Sequence, residues 1–519
     1  MPQYVMAIDA GTGSCRAVVF DRDGRQVSIA QHEWVHPPLR GVPGSQVFET
    51  RKNWDLISSS VREALTGGSI EPSQVRAVSA CSMREGMVLY DAAGREIWAC
   101  PNVDSRASAE ARLMVEDGTA EEIYIESGDW VSITAPPRVL WIRRNRPDLF
   151  RKIAHVGMLS DWILYRLSGR FVTDPSIGSS SAMFDLAHRS WSPRIAELCG
   201  LDAGIFPEVV ESGNEIGGVT ARAAQETGLA PGTPVVTGGG DTQMGLLGIG
   251  AGGPDRITVV GGSFWQTTVL MDRARVDPKI RLRTLCHALP GQWMMEGIGF
   301  YCGLTMRWFR DAFCQSEKEE ARRQGTDAYV VMEELARAVP PGSNGVLGIF
   351  SNLMNSRRWV HASPSFIQFD VRDPGHSGKK ECVRAIEESA AYVALGHLRI
   401  IESITRGRTD HILFTGGASK GGLWPQIVSD VLGVRVDVPA VKESTALGAA
   451  ICAGRGAGWY DDIQEASRRL VRIEKRLEPS RRNNELYRSL YSKWSEVYDR
   501  SLGMVEEGLV RPLWRTAGS

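Results

Sequence analysis

The chain of 519 residues is 43% apolar and 23% charged, with 60 Lys plus Arg against 61 Asp plus Glu and a formal net charge of −1. That balance excludes a disordered chain, which needs fewer apolar residues or a larger net charge. It also leaves no overall basic field to hold nucleic acid or an anionic membrane surface. No apolar run approaches the roughly eighteen residues of a membrane span.

The N-terminus, MPQYVMAIDA, lacks a basic segment, and Asp9 interrupts its short apolar run, so it does not read as a secretory signal. The nine cysteines are odd in number, irregularly spaced and without a CxxC pair. A disulfide framework or zinc knuckle is not expected, and a reducing cytoplasm fits.

In chain order, 4–10 (YVMAIDA) and 15–20 (CRAVVF) are apolar strands joined by a glycine turn, and Asp21-Arg22-Asp23-Gly24 is a second turn. Residues 53–65 have helical spacing, and 75–81 (VRAVSAC) reads as a buried strand. PVVT at 234–237 is a strand leading into a triple-glycine turn and then a helix over 242–250.

The second half repeats the order. ITVVGGSFWQTTVL at 257–270 is strand, turn, strand, and HILFT at 411–415 stands in the place of 75–81. VRVDVPAVKESTALGAA at 434–450 stands in the place of 234–250, with Glu443 opposite Asp241. The pattern is that of a diverged duplication of one α/β unit. The boundary is expected in the glycine-rich stretch Gly250–Pro254, giving units 1–250 and 251–519. The tail from 480 to 519 reads as a packing helix with Leu486, Leu490, Trp494 and Tyr498 on one stripe, and Trp308, Phe309 and Phe313 read as core.

Four segments carry chemistry. In Asp9-Ala10-Gly11-Thr12-Gly13-Ser14, the glycines allow backbone N–H groups to approach an anion, two hydroxyls can donate to phosphate, and Asp9 at a strand end can hold a magnesium ion. Gly238-Gly239-Gly240-Asp241 puts a helix N-terminus and a carboxylate at one point, the arrangement a phosphoryl acceptor's base needs. Gly261-Gly262-Ser263 is a second glycine hairpin. Gly416-Gly417 opens GGASKGG, whose glycines would let a flat base lie on the backbone. That segment also matches G-x-S-x-G, but no histidine follows Ser419, which removes the hydrolase order. There is no P-loop or G-x-G-x-x-G motif. Arg84-Glu85 and Asp104 follow strand ends, where adjacent opposite charges can clamp hydroxyls or carbonyls.

With DAGTGSCR at 9–16, GGGDTQMG at 238–245, VVGGSFW at 259–265, TGGASKGGLW at 415–424 and KESTALGAA at 442–450, the chain resembles the FGGY carbohydrate kinases. The resemblance spans nearly the whole length and implies an α/β fold of two actin-like (ribonuclease H-like) domains with duplicated mixed sheets flanked by helices. It implies ATP and Mg2+ as cofactors. Thr12, Gly13, Ser14 and Arg16 would serve the first phosphate loop, Gly262 and Ser263 the second, and Gly416 and Gly417 the adenine side. Asp241 would be the catalytic base, Asp9 and Asp241 would sit at the metal, and Arg84, Glu85, Asp104 and Asp241 would bind the acceptor.

Two departures stand out: Gly13 replaces a common hydroxyl residue, and Arg138 replaces a common Lys. The stretches at 79–90, 97–107, 303–314 and 339–346 resemble the branch of the family that phosphorylates the terminal hydroxyl of linear 4,5-dihydroxypentane-2,3-dione, a quorum-sensing signal. Another ketose or polyol, of xylulose or glycerol type, is the alternative acceptor, and a non-catalytic ATP sensor is the alternative class. The partners implied are this small molecule and ATP, with no nucleic acid and no membrane. Neither a homodimer nor a regulatory protein partner has a signature in the residues.

Overall fold

A computed structural model describes residues 2–253, 256–353 and 360–515. Pro254 of the expected hinge and residues 516–519 of the expected tail helix lie outside them.

The first half is built on β1 (Tyr4–Ala10), β2 (Ser14–Phe20), β3 (Gln26–Glu33), helix α1 (Thr50–Gly67), β4 (Val75–Ser82), β5 (Glu215–Gly218) and β6 (Pro234–Gly240), which leads into α2 (Asp241–Gly248). The sheet order is β5-β6-β4-β1-β2-β3. The glycine turn makes β1 and β2 antiparallel, with Asp9 opposite Arg16, whereas β1, β4 and β6 run parallel. A parallel crossover requires an intervening helix, and α1 supplies one between β3 and β4.

The second half contains β7 (Ile257–Gly261), β8 (Trp265–Met271), β9 (Arg283–Cys286), β10 (Trp293–Gly299), the 27-residue α3 (Lys379–Thr405), β11 (His411–Thr415), β12 (Arg435–Pro439), α4 (Ser444–Gly456) and β13 (Ile473–Leu477). Its order, β9-β10-β8-β7-β11-β12-β13, repeats the first sheet: an antiparallel three-strand meander, two parallel strands beside it, and an antiparallel edge. The expected duplication is therefore present. The edge strand precedes its partner in the first half and follows it in the second, and β9 is an addition.

Helices α2 and α4 lie between the sheets. They share one apolar cluster with Val5 and Ala7 of β1 and Leu413 of β11, so this core belongs to both halves. The helices cross at glycines. A Cβ at Gly248 would run into the Ser444 carbonyl, and one at Gly448 into the Met244 carbonyl. This contact holds the N-termini of α2 and α4, with Asp241 and Glu443, at the base of the space between the halves.

Three sequence expectations need correcting. The triple glycine is not a turn: β6 runs through to Gly240, with Gly239 opposite Cys81 and Gly240 opposite Ser82. Side chains there would collide with Ala80 and Ser176. The tail helix, α5, spans Arg481–Glu506, and its buried stripe is Tyr487, Tyr491, Trp494 and Tyr498. Leu486 is exposed and Leu490 packs only at the margin, because counting strictly by four drifts off a face of period 3.6. Of the three aromatics expected in the core, only Phe309 is buried; Trp308 and Phe313 are half exposed.

All nine cysteines are free and buried. Among the described residues, no helix is long and apolar enough to cross a membrane.

Candidate active site

The two glycine hairpins lie at corresponding ends of the duplicated sheets. In the first, the Gly11 amide donates to the Ser14 carbonyl at 2.9 Å and closes the turn. Trp34 Nε1 donates to the Gly11 and Thr12 carbonyls, both at 3.1 Å, and His36 Nε2 lies 2.9 Å from the latter. With its carbonyls braced from one side, the turn leaves Thr12 and Gly13 exposed on the other. Thr12 Oγ1 also reaches the Asn102 side chain at 3.1 Å. Arg16, on β2, lies 3.3 Å from Asp9 and 2.6 Å from Glu443, which ties the first hairpin to the N-terminus of α4.

In the second hairpin, the Gly262 amide donates to the Phe264 carbonyl, and Ser263 accepts from the Leu304 amide at 3.2 Å. Gly416 and Gly417 follow β11, in register beside β7, with Val260 opposite Thr415. Ser419 is no exposed nucleophile: its hydroxyl donates to the Gly416 carbonyl at 2.9 Å. The hairpin and the Gly417–Gly421 turn border a cavity of about 520 Å³ that is walled by Met306, Met332, Val383 and Trp424. Apolar walls with glycine backbone at the rim suit a flat ring joined to phosphates.

Asp241 is the first residue of α2, at the base of the space between the halves. The Thr242 amide donates to its Oδ1 at 2.6 Å, and Arg84 Nε stands 3.8 Å away. Burial pushes its carboxyl up to about 6, opposed by Arg84 and reinforced by Asp9 and Glu85. Burial likewise raises the Asp9 carboxyl, which Arg16 partly offsets. A carboxylate poised near 6 is ionised at neutral pH yet basic enough to accept a proton.

Arg84 and Glu85 leave β4 through a bend in which Glu85 has φ 61°, a left-handed conformation costly for a non-glycine residue. The bend turns both side chains toward the second half. Arg84 makes a two-pronged pair with Glu296 of β10, at 2.6 and 3.1 Å. Arg283 of β9 lies 3.0 Å from Glu296, 2.7 Å from Glu85 and 3.5 Å from Asp129. Burial alone would raise Glu296; the two guanidiniums overcome it and hold the carboxyl at about 2. Asp129, with Arg283 its nearest cation, is raised by burial to about 6.

Arg283, Glu296 and Asp129 escaped sequence reading. Only Glu296 carried a local signal, a lone acid inside the apolar run WMMEGIG.

Asp104 stands apart from this cluster. Arg106 grips its carboxylate at 2.7–3.0 Å and the Gln46 amide donates to it at 2.6 Å, so both oxygens are engaged within the loop. Arg138 sits beneath, 1% exposed. It donates to the carbonyls of Glu85, Pro101, Asn102 and Asp104. A single guanidinium thus fixes the Glu85 bend and the 101–104 loop together, which the fork geometry of Arg permits and the point charge of Lys does not.

Among the described residues there is no group of three or more metal-ligating side chains. Asp9 is close enough to Asp241 to raise its proton affinity, and that pair of oxygen donors suits a hard cation that keeps most of its waters.

The model of the FGGY family of carbohydrate kinases matches this chain in two parts, the N-terminal domain over residues 4–248 and the C-terminal domain over 265–457. The chain is 46% identical over 518 residues to an autoinducer-2 kinase of Klebsiella pneumoniae, covering 99% of this chain and 97% of the relative. It is also 46% identical over 518 residues to one of Yersinia pestis, covering 99% and 98%. Among solved structures, a gluconate kinase of Lactobacillus acidophilus superposes with a TM-score of 0.85 at 16% identity, over 96% of this chain and 98% of that one. A xylulose kinase of Rhodospirillum rubrum gives 0.83 at 24%, over 96% and 99%. At those identities the superpositions speak for the fold alone, two actin-like units with a cleft between them.

Proposed function

Because the chain belongs to the FGGY family of carbohydrate kinases, we propose that it transfers the γ-phosphoryl group of ATP to the terminal C5 hydroxyl of linear 4,5-dihydroxypentane-2,3-dione, autoinducer-2. The observation that carries the choice of acceptor is the 46% identity, end to end, with autoinducer-2 kinases.

The geometry supports a direct transfer. Asp241 accepts the proton of the C5 hydroxyl as its oxygen forms the new bond to the γ-phosphorus, and the bond from that phosphorus to the bridging oxygen breaks to release ADP. Thr12, Gly13 and Ser14 on one hairpin, and Gly262 and Ser263 on the other, approach the polyphosphate from the two halves, with Arg16 bracing the first hairpin through Asp9 and Glu443. Gly417 borders the base cavity, and Gly416 leads into it from the end of β11.

Asp9 and Asp241 would hold Mg2+, which would neutralise charge on the phosphates. Arg84 and Glu85 orient the acceptor's oxygens; Glu296 and Arg283 set the angles of those two side chains. Asp104 contributes by shaping the loop beside Thr12 and Asn102. The phosphorylated product carries two negative charges and does not recross a bilayer, which suits a signal retained inside a cell.

The test is kcat/KM for the dione, xylulose and glycerol in a coupled ATP-consumption assay, with the phosphorylated carbon read by phosphorus-31 NMR. Preference for the dione by at least tenfold is expected. If xylulose or glycerol equals the dione, the proposed acceptor is wrong.

A further inference from the structure

The carboxylate of Asp241 is not gripped by the site it serves. Among the described residues it accepts hydrogen bonds only from Thr242, its own neighbour, and the Arg84 guanidinium stands 3.8 Å away. Its place therefore follows from its backbone, at the step from β6 into α2. The register between β6 and β4 shifts between Val236 and Gly239, just before that step. There the amide of Gly240, the residue before Asp241, donates to the Ser176 hydroxyl at 3.1 Å. A second thread joins the same two segments: the buried Gln243 donates from Nε2 to the Ser176 carbonyl at 3.2 Å.

Ser176 is held in turn by Asp174, which is 1% exposed. Asp174 Oδ1 accepts from the Ser176 hydroxyl and from the amides of Ser176 and Ile177, the amides at 2.8 and 3.3 Å, and so caps the single turn Pro175–Gly178. A hydroxyl has one hydrogen. With that hydrogen committed to Asp174, the Ser176 oxygen faces Gly240 as an acceptor. The fit is close: a Cβ at Gly239 would overlap the Ser176 hydroxyl and press on Asp174 Oδ1. The segment is itself anchored on two further sides, where Ser179 Oγ accepts the Cys286 amide of β9 at 3.0 Å and Ser180 Oγ accepts the Glu85 amide at 3.4 Å.

We propose that Asp174 and Ser176 are positioning residues for the base: Asp174 orients the Ser176 hydroxyl, the hydroxyl holds the Gly240 amide, and that amide sets where the Asp241 carboxylate meets the acceptor hydroxyl. The inference rests on the kinase reading above and on Asp241 as its base. A displacement of about 1 Å in a reacting group can cost about a hundredfold in rate. Because both residues act through the Gly240 backbone, their loss should appear in kcat and not in KM.

The experiment compares wild type with Ser176→Ala, Asp174→Ala, Asp174→Asn, and Ser176→Ala combined with Asp241→Asn. Ser176→Ala removes one oxygen and leaves both backbone amides on Asp174, so it is expected to fold. Asp174→Asn keeps the Oδ1 acceptor and Asp174→Ala removes it; where Asp174→Ala fails to fold, Ser176→Ala decides alone. The measurements are kcat and KM for the dione and ATP, and hydrogen exchange of the peptide containing Gly240, which does not depend on turnover.

Ser176→Ala and Asp174→Ala should lower kcat by about tenfold to a hundredfold, with both KM values within about threefold, and should speed exchange at Gly240; Asp174→Asn should stay within about threefold of wild type. In the Asp241→Asn background, Ser176→Ala should cost no more than about twofold further, since residues that act as a unit are not additive. A Ser176→Ala kcat within about twofold of wild type overturns the inference. So does unchanged exchange at Gly240, a loss in Asp174→Asn equal to that in Asp174→Ala, or the full Ser176→Ala loss persisting beside Asp241→Asn, which is what general damage to the fold would give. Failure of wild type itself to phosphorylate any acceptor counts against the kinase reading instead, and faster exchange at Gly240 in Ser176→Ala would then still support the hydrogen-bond chain.

Discussion

Replacing Asp241 by Asn separates the chemistry from the scaffold. The side chain keeps its size, and its amide oxygen can still accept the Thr242 N–H now at 2.6 Å. What disappears is the negative charge and the capacity to take a proton. Removing a general base costs about a hundredfold to ten-thousandfold in rate, or roughly 2.7–5.5 kcal/mol of barrier.

Stability should move the other way. Folding raises the Asp241 carboxyl from 3.8 to about 6, so between those values the folded chain binds more protons than the unfolded one and stability falls as pH rises. Above pH 6 the wild type carries the whole of that penalty and Asp241→Asn carries none. The expected outcome at pH 7.5 is therefore a melting temperature equal to or above wild type, unchanged ADP binding, and kcat down by at least a hundredfold. The wild-type kcat/KM profile should also fall on its acid side with a midpoint near 6. Turnover within tenfold of wild type, or a clear loss of thermal stability, would refute the assignment of the base.

Glu296→Gln leaves Arg84 and Arg283 buried without their shared anion and is expected to cost about 3–5 kcal/mol in chemical unfolding. Because Glu296 is held at about 2, its contribution is complete above about pH 4.5 and is lost as pH falls toward 2, so the gap between wild type and variant should close in acid; a gap independent of pH would contradict this. Arg138→Met should lose about 3 kcal/mol or more by stranding buried carbonyls and should raise KM for the acceptor, with Arg138→Lys between it and wild type in both measurements. Gly248→Ala should lower stability by about 1–3 kcal/mol through the α2–α4 crossing, and pairing it with Gly448→Ala should give less than the sum, since both forced separations are relieved by one helix shift.

The parts of the molecule legible in the sequence are those whose chemistry is local. A glycine turn between two apolar runs announces a hairpin wherever it occurs, so Gly11–Gly13 and Gly261–Ser263 were both found, and their order along the chain disclosed the duplication. Asp241 was legible because it opens a helix immediately after a strand. The triple glycine before it misled: its three missing side chains mark close packing against Ala80 and Ser176, a long-range cause that looks the same in sequence as a turn. Arg283, Glu296 and Asp129 come together only when β9 and β10 meet the bend after β4, and no spacing within the chain encodes that meeting. Asp104 was singled out for its charge, but the Arg two positions later engages that charge, a pairing fixed by the fold of the loop.

Among the described residues, four ion pairs join residues from different halves: Arg16 with Glu443, Arg84 with Glu296, and Glu85 and Asp129 with Arg283. Each half therefore carries charges whose partners are encoded more than a hundred and fifty residues away. The halves look like interchangeable modules in outline, but they are matched as lock and key. A hybrid joining the first half of this chain to the second half of a relative with other residues at 283, 296 and 443 would bury cations opposite nothing, or opposite one another. Recombination between such kinases is thus expected to give folded halves with a misaligned acceptor site, unless the three positions travel with their counterparts. The seam between the units, more than either unit, is where the identity of the enzyme is written.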